Sequence, residues 1–465
     1  MSHSETQSLS GSGAPDSARV ILRTALPMLA SLLLEQLVGM TDAVFLGRYG
    51  EVELGASAIG GIVFLIVLMQ GYGFSVGAQS LMARANGAGD REAVGVVFRQ
   101  SAMTLVGLGL LLCAAMTAAA APLMEAIILS PDVQRAAASY AWWRSLGLPF
   151  AYLCILIRAF YVAILSTRIL AWSSGVTVAA NCILNYLLIF GAGPFPEMGI
   201  AGAAIASALA EAACFAFLVL YMAVRHDAKR FGLALGLSAW RWQSAIQKRI
   251  FKLGRWLMLQ EAIAFAVWLY FFSMTEHVSP RALAISNVVR QLGSLVFLFV
   301  HAFGSTCGSI AANLYGAKRF APIDAVAKKG MLLSLACMLP FVALFAAAPS
   351  TTLGFFTDLP EVISEAKPAL WVMLASYTAT LPCFHYFSIL GAMGFAKAAF
   401  RLSLAAAAVY AAYTAFITSA TSNIALIWTA DTVYGAVLGF GAWLVWRRGD
   451  WQETPAAKAR PLHPQ

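Results

Sequence analysis

Glu35 and Asp42 are two carboxylic acids inside an apolar stretch that extends from Ile21 to Leu46. Seven residues separate them, which is two turns of an α-helix, so both side chains lie on one helix face. A carboxylate at the centre of a bilayer costs about 2.5 to 3.5 kcal/mol on insertion scales. We therefore expect this face to border other helices or water, where a carboxyl can bind and release a proton or a metal cation.

The elements that hold these carboxyls are predicted to be membrane-spanning helices. Hydrophobic residues make up 60% of the 465 residues and charged residues only 11%, whereas a soluble protein has about 25% charged residues. A spanning helix needs about 20 mainly apolar residues. Twelve such runs predict an all-α membrane protein with spans at 20–46, 54–82, 96–121, 138–166, 169–190, 199–224, 250–275, 282–312, 328–348, 367–394, 400–420 and 423–446.

The basic residues predict the orientation of these spans. When successive loops are assigned alternately to two faces, most of the 31 lysines and arginines fall on the face that holds both termini. The positive-inside rule makes that face cytoplasmic. We expect a multi-pass protein of the bacterial inner (plasma) membrane, with both termini in the cytoplasm. Topology and anionic membrane lipids account for the net charge of +9, so no nucleic-acid partner is expected.

Two similar halves are predicted within the chain. ARANGAGDREAV at 83–94 and AANLYGAKRFAPI at 311–323 each combine a Gly-Ala turn with charged residues after a pair of spans. Repeats of six spans each are related by pseudo-twofold symmetry about an axis along the membrane normal, and substrate is expected between them. The predicted organisation is a disordered cytoplasmic tail (1–18), a six-helix bundle (19–224), a cytoplasmic linker (225–249), a second six-helix bundle (250–446) and a cytoplasmic tail (447–465).

Sequence motifs for several kinds of chemistry are absent. The chain has no phosphate-binding loop of the type G-x-x-x-x-G-K-[ST] and no H-E-x-x-H. Its seven cysteines show no C-x-x-C spacing, so neither a disulfide nor a metal cluster is predicted. We therefore expect a protein that is not an enzyme and has no cofactor, and whose energy source is an ion gradient.

The sequence resembles the multidrug and toxic compound extrusion (MATE) family from Arg19 to Trp446. The resemblance is carried by LPMLASLLLEQLVGMTDAVFLGRYG at 26–50, LGASAIGG at 54–61 and EMGIAGAAIASALAE at 197–211, together with the six-plus-six plan. It implies a V-shaped pair of bundles. It also implies a cation antiporter that expels drug-like molecules while a proton or sodium ion moves inward.

The resemblance implies roles for residues of the first half. Asp42 matches an aspartate that binds the coupling cation, and Pro27 matches a proline at which the first helix kinks. Asn181 and Asn185 match a polar pair whose second member is often aspartate. Asn185 therefore removes one negative charge, which is expected to weaken a possible Na⁺ site at Asp42.

Two further polar residues lie in the predicted sixth span. Ser207 stands where relatives often carry threonine, and Glu211 lies one turn later on the same face. Glu211 is expected to be either a second proton carrier or a partner for hydrogen bonds between helices.

The second half departs from the family pattern. Glu261 matches a glutamate that the NorM-like branch uses in a cation site, but the partner aspartate of the tenth span is missing and His385 is nearby in sequence. We do not expect a complete sodium site there. His385 is either a group that titrates near neutrality or a packed polar residue. Arg290 is a candidate to pair with Glu261.

Arg158, in the middle of the fourth span, has three interpretations. It neutralises Asp42 or Glu211, it recognises an anionic group of a substrate, or it extends toward the membrane interface. Aromatic side chains are expected to bind flat lipophilic cations by cation–π contact. The predicted substrate cavity includes Glu35, Gln36, Tyr72, Arg158, Phe272 and Tyr386.

These residues suggest a mechanism of alternating access in a monomeric exporter of small drug-like molecules. Protonation of Asp42 removes a charge, lets the first helix repack and lowers the affinity for substrate, which leaves outward. Substrate from the cytoplasm then displaces the proton. Two alternatives stay open: a flippase or exporter of lipid-linked sugars from the same superfamily, and a channel or sensor that does not transport.

Overall fold

A computed structural model describes residues 17–233, 240–357 and 359–449, without the side chains of 381–383. Within these ranges the chain is almost entirely α-helical and has no β-strand, as predicted. Most of the two predicted tails, 1–16 of the first and 450–465 of the second, lies outside the described residues.

Sixteen helices are formed by the described residues. They are α1 (Ala18–Tyr49), α2 (Glu51–Gly87), α3 (Arg91–Ile127), α4 (Pro131–Ser145), α5 (Leu148–Ala163), α6 (Arg168–Ile189), α7 (Gly199–Val224), α8 (Asp227–Arg230), α9 (Ser244–Val278), α10 (Pro280–Gly316), α11 (Ala321–Ala347), α12 (Pro349–Gly354), α13 (Pro360–Ala392), α14 (Ala396–Ala420), α15 (Ile424–Ile427) and α16 (Thr429–Arg447).

The number of spans agrees with the sequence prediction. Among the described residues, ten helices are long and apolar enough to cross a membrane, α15 and α16 counting together, and α4 with α5 forms one further, bent span. The 33-residue α13 completes the predicted twelve. The predicted all-α membrane fold is confirmed.

The fourth span differs from its prediction because it is broken. The sequence predicted one helix over 138–166, whereas α4 and α5 meet at an angle of 51°. The break lies at Leu146 and Gly147, just before Pro149, which has no backbone N–H to donate to a preceding turn. The span also begins earlier than predicted, at Pro131 of α4.

The described residues form two compact units. One is Ala30–Met258, and the other combines the described parts of Met1–Leu29 and Leu259–Pro461. The limits of the units therefore lie inside α1 and α9. In the second unit, the Thr306 hydroxyl lies 3.9 Å from the Met28 sulfur, which joins the start of α1 to α10.

The repeated turn predicted from the sequence occurs in both halves. α2 and α10 each have 37 residues and end at a glycine followed by an alanine. The next residue is left-handed in both turns, with φ of 79° at Gly89 and 58° at Lys318. The following helix, α3 or α11, begins within three residues. The two turns thus share one backbone plan even though the second places a lysine where glycine is favoured.

Part of the predicted linker, 225–249, packs on the first unit. Asp227 of α8 is 5% exposed and accepts a hydrogen bond of 3.2 Å from the Tyr161 hydroxyl. Burial raises the pKa of the Asp227 carboxyl. On α3, Gln100 donates to the Arg241 carbonyl at 2.7 Å and accepts from the Gln243 backbone N–H at 3.1 Å. These contacts hold the chain that leads into α9.

Candidate coupling site

Asp42 is surrounded by neutral hydrogen-bond donors from two other helices. Its Oδ1 accepts from the side-chain amides of Asn185 at 2.6 Å and Asn181 at 3.1 Å, and its Oδ2 accepts from the Ser207 hydroxyl at 3.1 Å. Asn181 and Asn185 are fully buried, and Ser207 is 4% exposed. The structure therefore brings together four of the residues that the sequence nominated for the coupling site.

Helix geometry explains this arrangement. Asn181 and Asn185 lie one turn apart on α6, so both amides point to the same place, and Asn185 also donates to the Asn181 oxygen at 3.1 Å. Ser207 comes from α7, which lies close to α6 at Gly202. A Cβ atom at Gly202 would lie 2.5 Å from the Leu188 carbonyl oxygen. Only glycine permits this approach, which sets the depth of Ser207.

One buried oxygen of the site has no hydrogen-bond partner among the described residues. It is Oδ1 of Asn185, the amide whose nitrogen donates to Asp42. A buried acceptor without a donor is costly. An added proton on Asp42, or a hard cation that prefers oxygen ligands, would satisfy it. The site is therefore built to gain positive charge.

Glu35 has a different environment from Asp42, although both lie on α1. Its carboxylate forms an ion pair with Arg158 of α5. It also accepts from the Ser174 hydroxyl at 3.2 Å. The same guanidinium lies 3.6 Å from the Cys214 sulfur. Of the interpretations of Arg158, neutralisation is thus directed at Glu35, and no ion pair with Asp42 or Glu211 is present among the described residues.

Glu211 is also paired with an arginine, one that sequence reasoning missed. Its Oε1 lies 2.6 Å from Arg144 of α4, and both side chains are largely buried, at 15% and 12% exposure. The guanidinium of Arg144 also covers the Phe64 ring at 3.8 Å. The predicted fourth span contained Arg144, but apolar length alone did not indicate that its side chain pairs with Glu211.

The candidate residues of the second half do not form one cluster among the described contacts. Arg290 lies over the rings of Trp268 and Phe272, at 5.9 and 5.4 Å, and makes no ion pair with Glu261 in the described part of the chain. His385 is completely buried on α13. The predicted pair of Glu261 with Arg290 is therefore not formed in this structure.

Asp431 is an acid of the second unit whose partner the sequence did not predict. Its carboxylate accepts a hydrogen bond of 3.3 Å from the Tyr410 hydroxyl. Tyr434 lies close enough to both Asp431 and Glu261 for electrostatic interaction. Asp431 and Glu261 are thus bordered by phenols.

The remaining candidates are placed as follows. Pro27 lies inside the unbroken α1, two residues before the unit limit at Leu29. Gln36 is exposed beside Glu35. Tyr72 belongs to the first unit, whereas Phe272 and Tyr386 belong to the second, where Tyr386 packs against Trp446 with ring centroids 5.3 Å apart. The predicted lining of a cavity by these rings stays a prediction.

Comparison with known proteins identifies the family. The sequence model of the MatE family matches two segments of equal length, residues 27–187 and 257–417, which together cover more than half of the chain. The chain belongs to the MatE family. The predicted resemblance is confirmed, and the double match agrees with two repeated halves. Membership makes the protein a membrane transporter and not an enzyme.

Individual relatives of this MatE protein match it at low sequence identity but over most of their length. It is 25% identical over 358 residues to the probable multidrug resistance protein NorM of Thermotoga maritima, covering 76% of this chain and 75% of the relative. It is 26% identical over 368 residues to the protein of the same name from Agrobacterium fabrum, covering 76% of each chain.

Solved structures show the same fold. An outward-facing multidrug resistance MATE family transporter of the MOP superfamily superposes with a TM-score of 0.88 and 17% identity, over 99% of this chain and 100% of that chain. A MOP superfamily transporter from Pyrococcus furiosus gives a TM-score of 0.87 and 17% identity, over 99% of this chain and 100% of that chain.

Proposed function

We propose that this MatE protein is a secondary active multidrug efflux transporter that exports lipophilic cationic compounds in exchange for inward-moving protons. The relatives named NorM are described as multidrug resistance proteins, which supports the substrate class. We place it in the bacterial inner membrane as a monomer with cytoplasmic termini.

The observation that carries the proposal is the contrast between Asp42 and its two acidic neighbours. Glu35 and Glu211 each pair with an arginine, so each already has a positive charge beside it. Asp42 receives hydrogen bonds only from two amides and a hydroxyl among the described residues. An acid without a basic partner at this depth gains most from taking up a proton. Among these three acids, Asp42 is therefore the one that we assign to the exchange.

Protonation of Asp42 changes the hydrogen bonds that its neighbours can make. The ionised carboxylate accepts three hydrogen bonds, whereas the acid form donates one. Asn185 Oδ1 is available to accept it. The amides of Asn181 and Asn185 or the Ser207 hydroxyl must then reorient, which loosens the attachment of α1 to α6 and α7. This loosening is the step that we couple to substrate release.

A proton fits this site better than sodium. The site has one carboxylate, and the amide nitrogens rather than the amide oxygens of Asn181 and Asn185 face it. A sodium ion would require both amides to turn over and would be held by a single negative charge. No other acid hydrogen-bonds to the cluster among the described residues.

Transport in proteoliposomes tests the proposal. Wild-type protein and Asp42→Asn are reconstituted, and efflux of ethidium is followed under an imposed pH gradient and, separately, an imposed sodium gradient. We expect efflux driven by the pH gradient in wild type and only passive leak in Asp42→Asn. The matched control is Asp132→Asn, because Asp132 is exposed and pairs with the exposed Arg135.

Two results would contradict the proposal. Undiminished pH-driven efflux in Asp42→Asn would remove Asp42 from coupling. Efflux that follows only the sodium gradient in wild type would replace the proton by sodium while leaving Asp42 as the candidate ligand.

A further inference from the structure

Arg144 is a buried cation that contacts residues of two other helices. It lies near the end of α4, pairs with Glu211 of α7 at 2.6 Å and covers the Phe64 ring of α2 at 3.8 Å. Three helices thus fix one guanidinium at the bend of the fourth span.

This guanidinium is also electrostatically coupled to Asp42. Arg144 and Asp42 are close enough for Coulombic attraction. Tyr140, one turn earlier on α4, interacts with both of them. On α7, Glu211 follows Ser207, the donor to Asp42 Oδ2, by one turn. The ion pair and the coupling site therefore share the same face of α7.

The ion pair is incompletely satisfied at one place. Arg144 Nη1 and Glu211 Oε2 are both buried and have no hydrogen-bond partner among the described residues. Both face Gly147, where a Cβ atom would lie 3.0 Å from Nη1 and 2.4 Å from Oε2. A pair whose only role is to join helices would have these atoms satisfied. The absence of a side chain at Gly147 lets these two groups lie directly against the backbone at the bend.

We propose that Arg144, tethered by Glu211, is a positioning residue that sets how readily Asp42 takes up and releases its proton. The inference rests on the proposed exchange of a proton at Asp42. In a low-dielectric interior, a fixed positive charge near a carboxyl favours its ionised form, and a fixed negative charge favours its protonated form. The combined effect of the Arg144 and Glu211 charges on Asp42 then sets the pH at which transport operates.

Arg144 and Glu211 are the charged side chains that face Asp42 from other helices. Glu35 on the same helix is already neutralised by Arg158. The groups that face Asp42 from other helices are Tyr140 and Arg144 on α4, Asn181 and Asn185 on α6, and Ser207 and Glu211 on α7. Arg144 is the cation in this set, and Arg158 acts on Glu211.

The test is the pH midpoint of dye efflux in proteoliposomes. Glu211→Gln leaves Arg144 uncompensated, so we expect the midpoint to move to lower pH. The double variant Arg144→Gln with Glu211→Gln removes both charges and keeps hydrogen-bonding side chains, which protects folding. Because Arg144 attracts Asp42 directly, we expect the double variant to move to higher pH. Each shift should be about half a pH unit or more.

Controls separate positioning from structure. Arg144→Lys keeps the charge and should keep the midpoint. Unaltered midpoints in both Glu211→Gln and the double variant, with only the amount of folded protein reduced, would overturn the inference.

The failure of this inference differs from failure of the proposed function. If Asp42→Asn abolishes pH-driven efflux while the double variant keeps the wild-type midpoint, only the role of Arg144 is wrong. If Asp42→Asn retains coupled efflux, the exchange at Asp42 itself is wrong.

Discussion

At the scale of single residues, the amide at Asn185 makes the site suited to a proton, whereas a carboxylate there would suit a metal cation. Its amide nitrogen lies 2.6 Å from Asp42 Oδ1, and its oxygen is buried without a hydrogen-bond partner in the described part of the chain. A carboxylate at this position would place two acids in contact, and they cannot both stay ionised without a cation between them.

Asn185→Asp is therefore expected to create sodium sensitivity. A hard cation gains a second carboxylate ligand and relieves the repulsion between the acids. Sodium chloride, compared with choline chloride, should raise the thermal unfolding temperature of the variant but not of wild type. Asn423→Asp is the matched control, because Asn423 caps α15 and aspartate caps a helix equally well. Equal responses of Asn185→Asp and wild type would contradict the expectation.

Residue identity predicted some of the contacts but not all of them. Asp42, Asn181, Asn185 and Ser207 were nominated through a family resemblance, and their clustering depends on which helices are neighbours. Arg158 was predicted to neutralise Asp42 or Glu211, but it pairs with Glu35, because spacing along the chain does not say which helices are neighbours. Arg144 was not among the predicted site residues.

At the scale of elements, Arg144 lies just before the break between α4 and α5. Apolar length predicts a span because the bilayer fixes how many residues must cross it. A break is a local event, and here Gly147 and Pro149 produce it inside an otherwise suitable run. Hydropathy therefore predicted twelve spans but not the bend of 51°.

Gly147→Ala should destabilise the protein. The added methyl group would lie 2.4 Å from Glu211 Oε2 and 3.1 Å from the Ala208 backbone, so α4, α5 and α7 must separate. Overpacking of this kind costs about 1 to 3 kcal/mol. The unfolding temperature in detergent should fall. Gly175→Ala, in a helical position with no atom within 4 Å, should leave it equal or slightly higher. Equal temperatures for the two variants would contradict the reading of Gly147.

At the scale of the whole molecule, the direction of coupling depends on which face of the protein is cytoplasmic. The MatE match begins at residue 27 and again at residue 257, so each half contributes one set of spans. An even total places both termini on one side, and the lysine and arginine content of the loops assigns that side to the cytoplasm. This assignment is a prediction from charge.

Reporter fusions test the assignment. Alkaline phosphatase fused after Gln465 should be inactive, because it folds only outside the cytoplasm, and green fluorescent protein at the same place should fluoresce. Phosphatase fused after Ser422, between α14 and α15, should be active, since one span separates the two positions. The reverse pattern would place the basic loops outside. A proton taken up by Asp42 would then have to enter from the opposite face, and the exchange proposed for this transporter would run toward import.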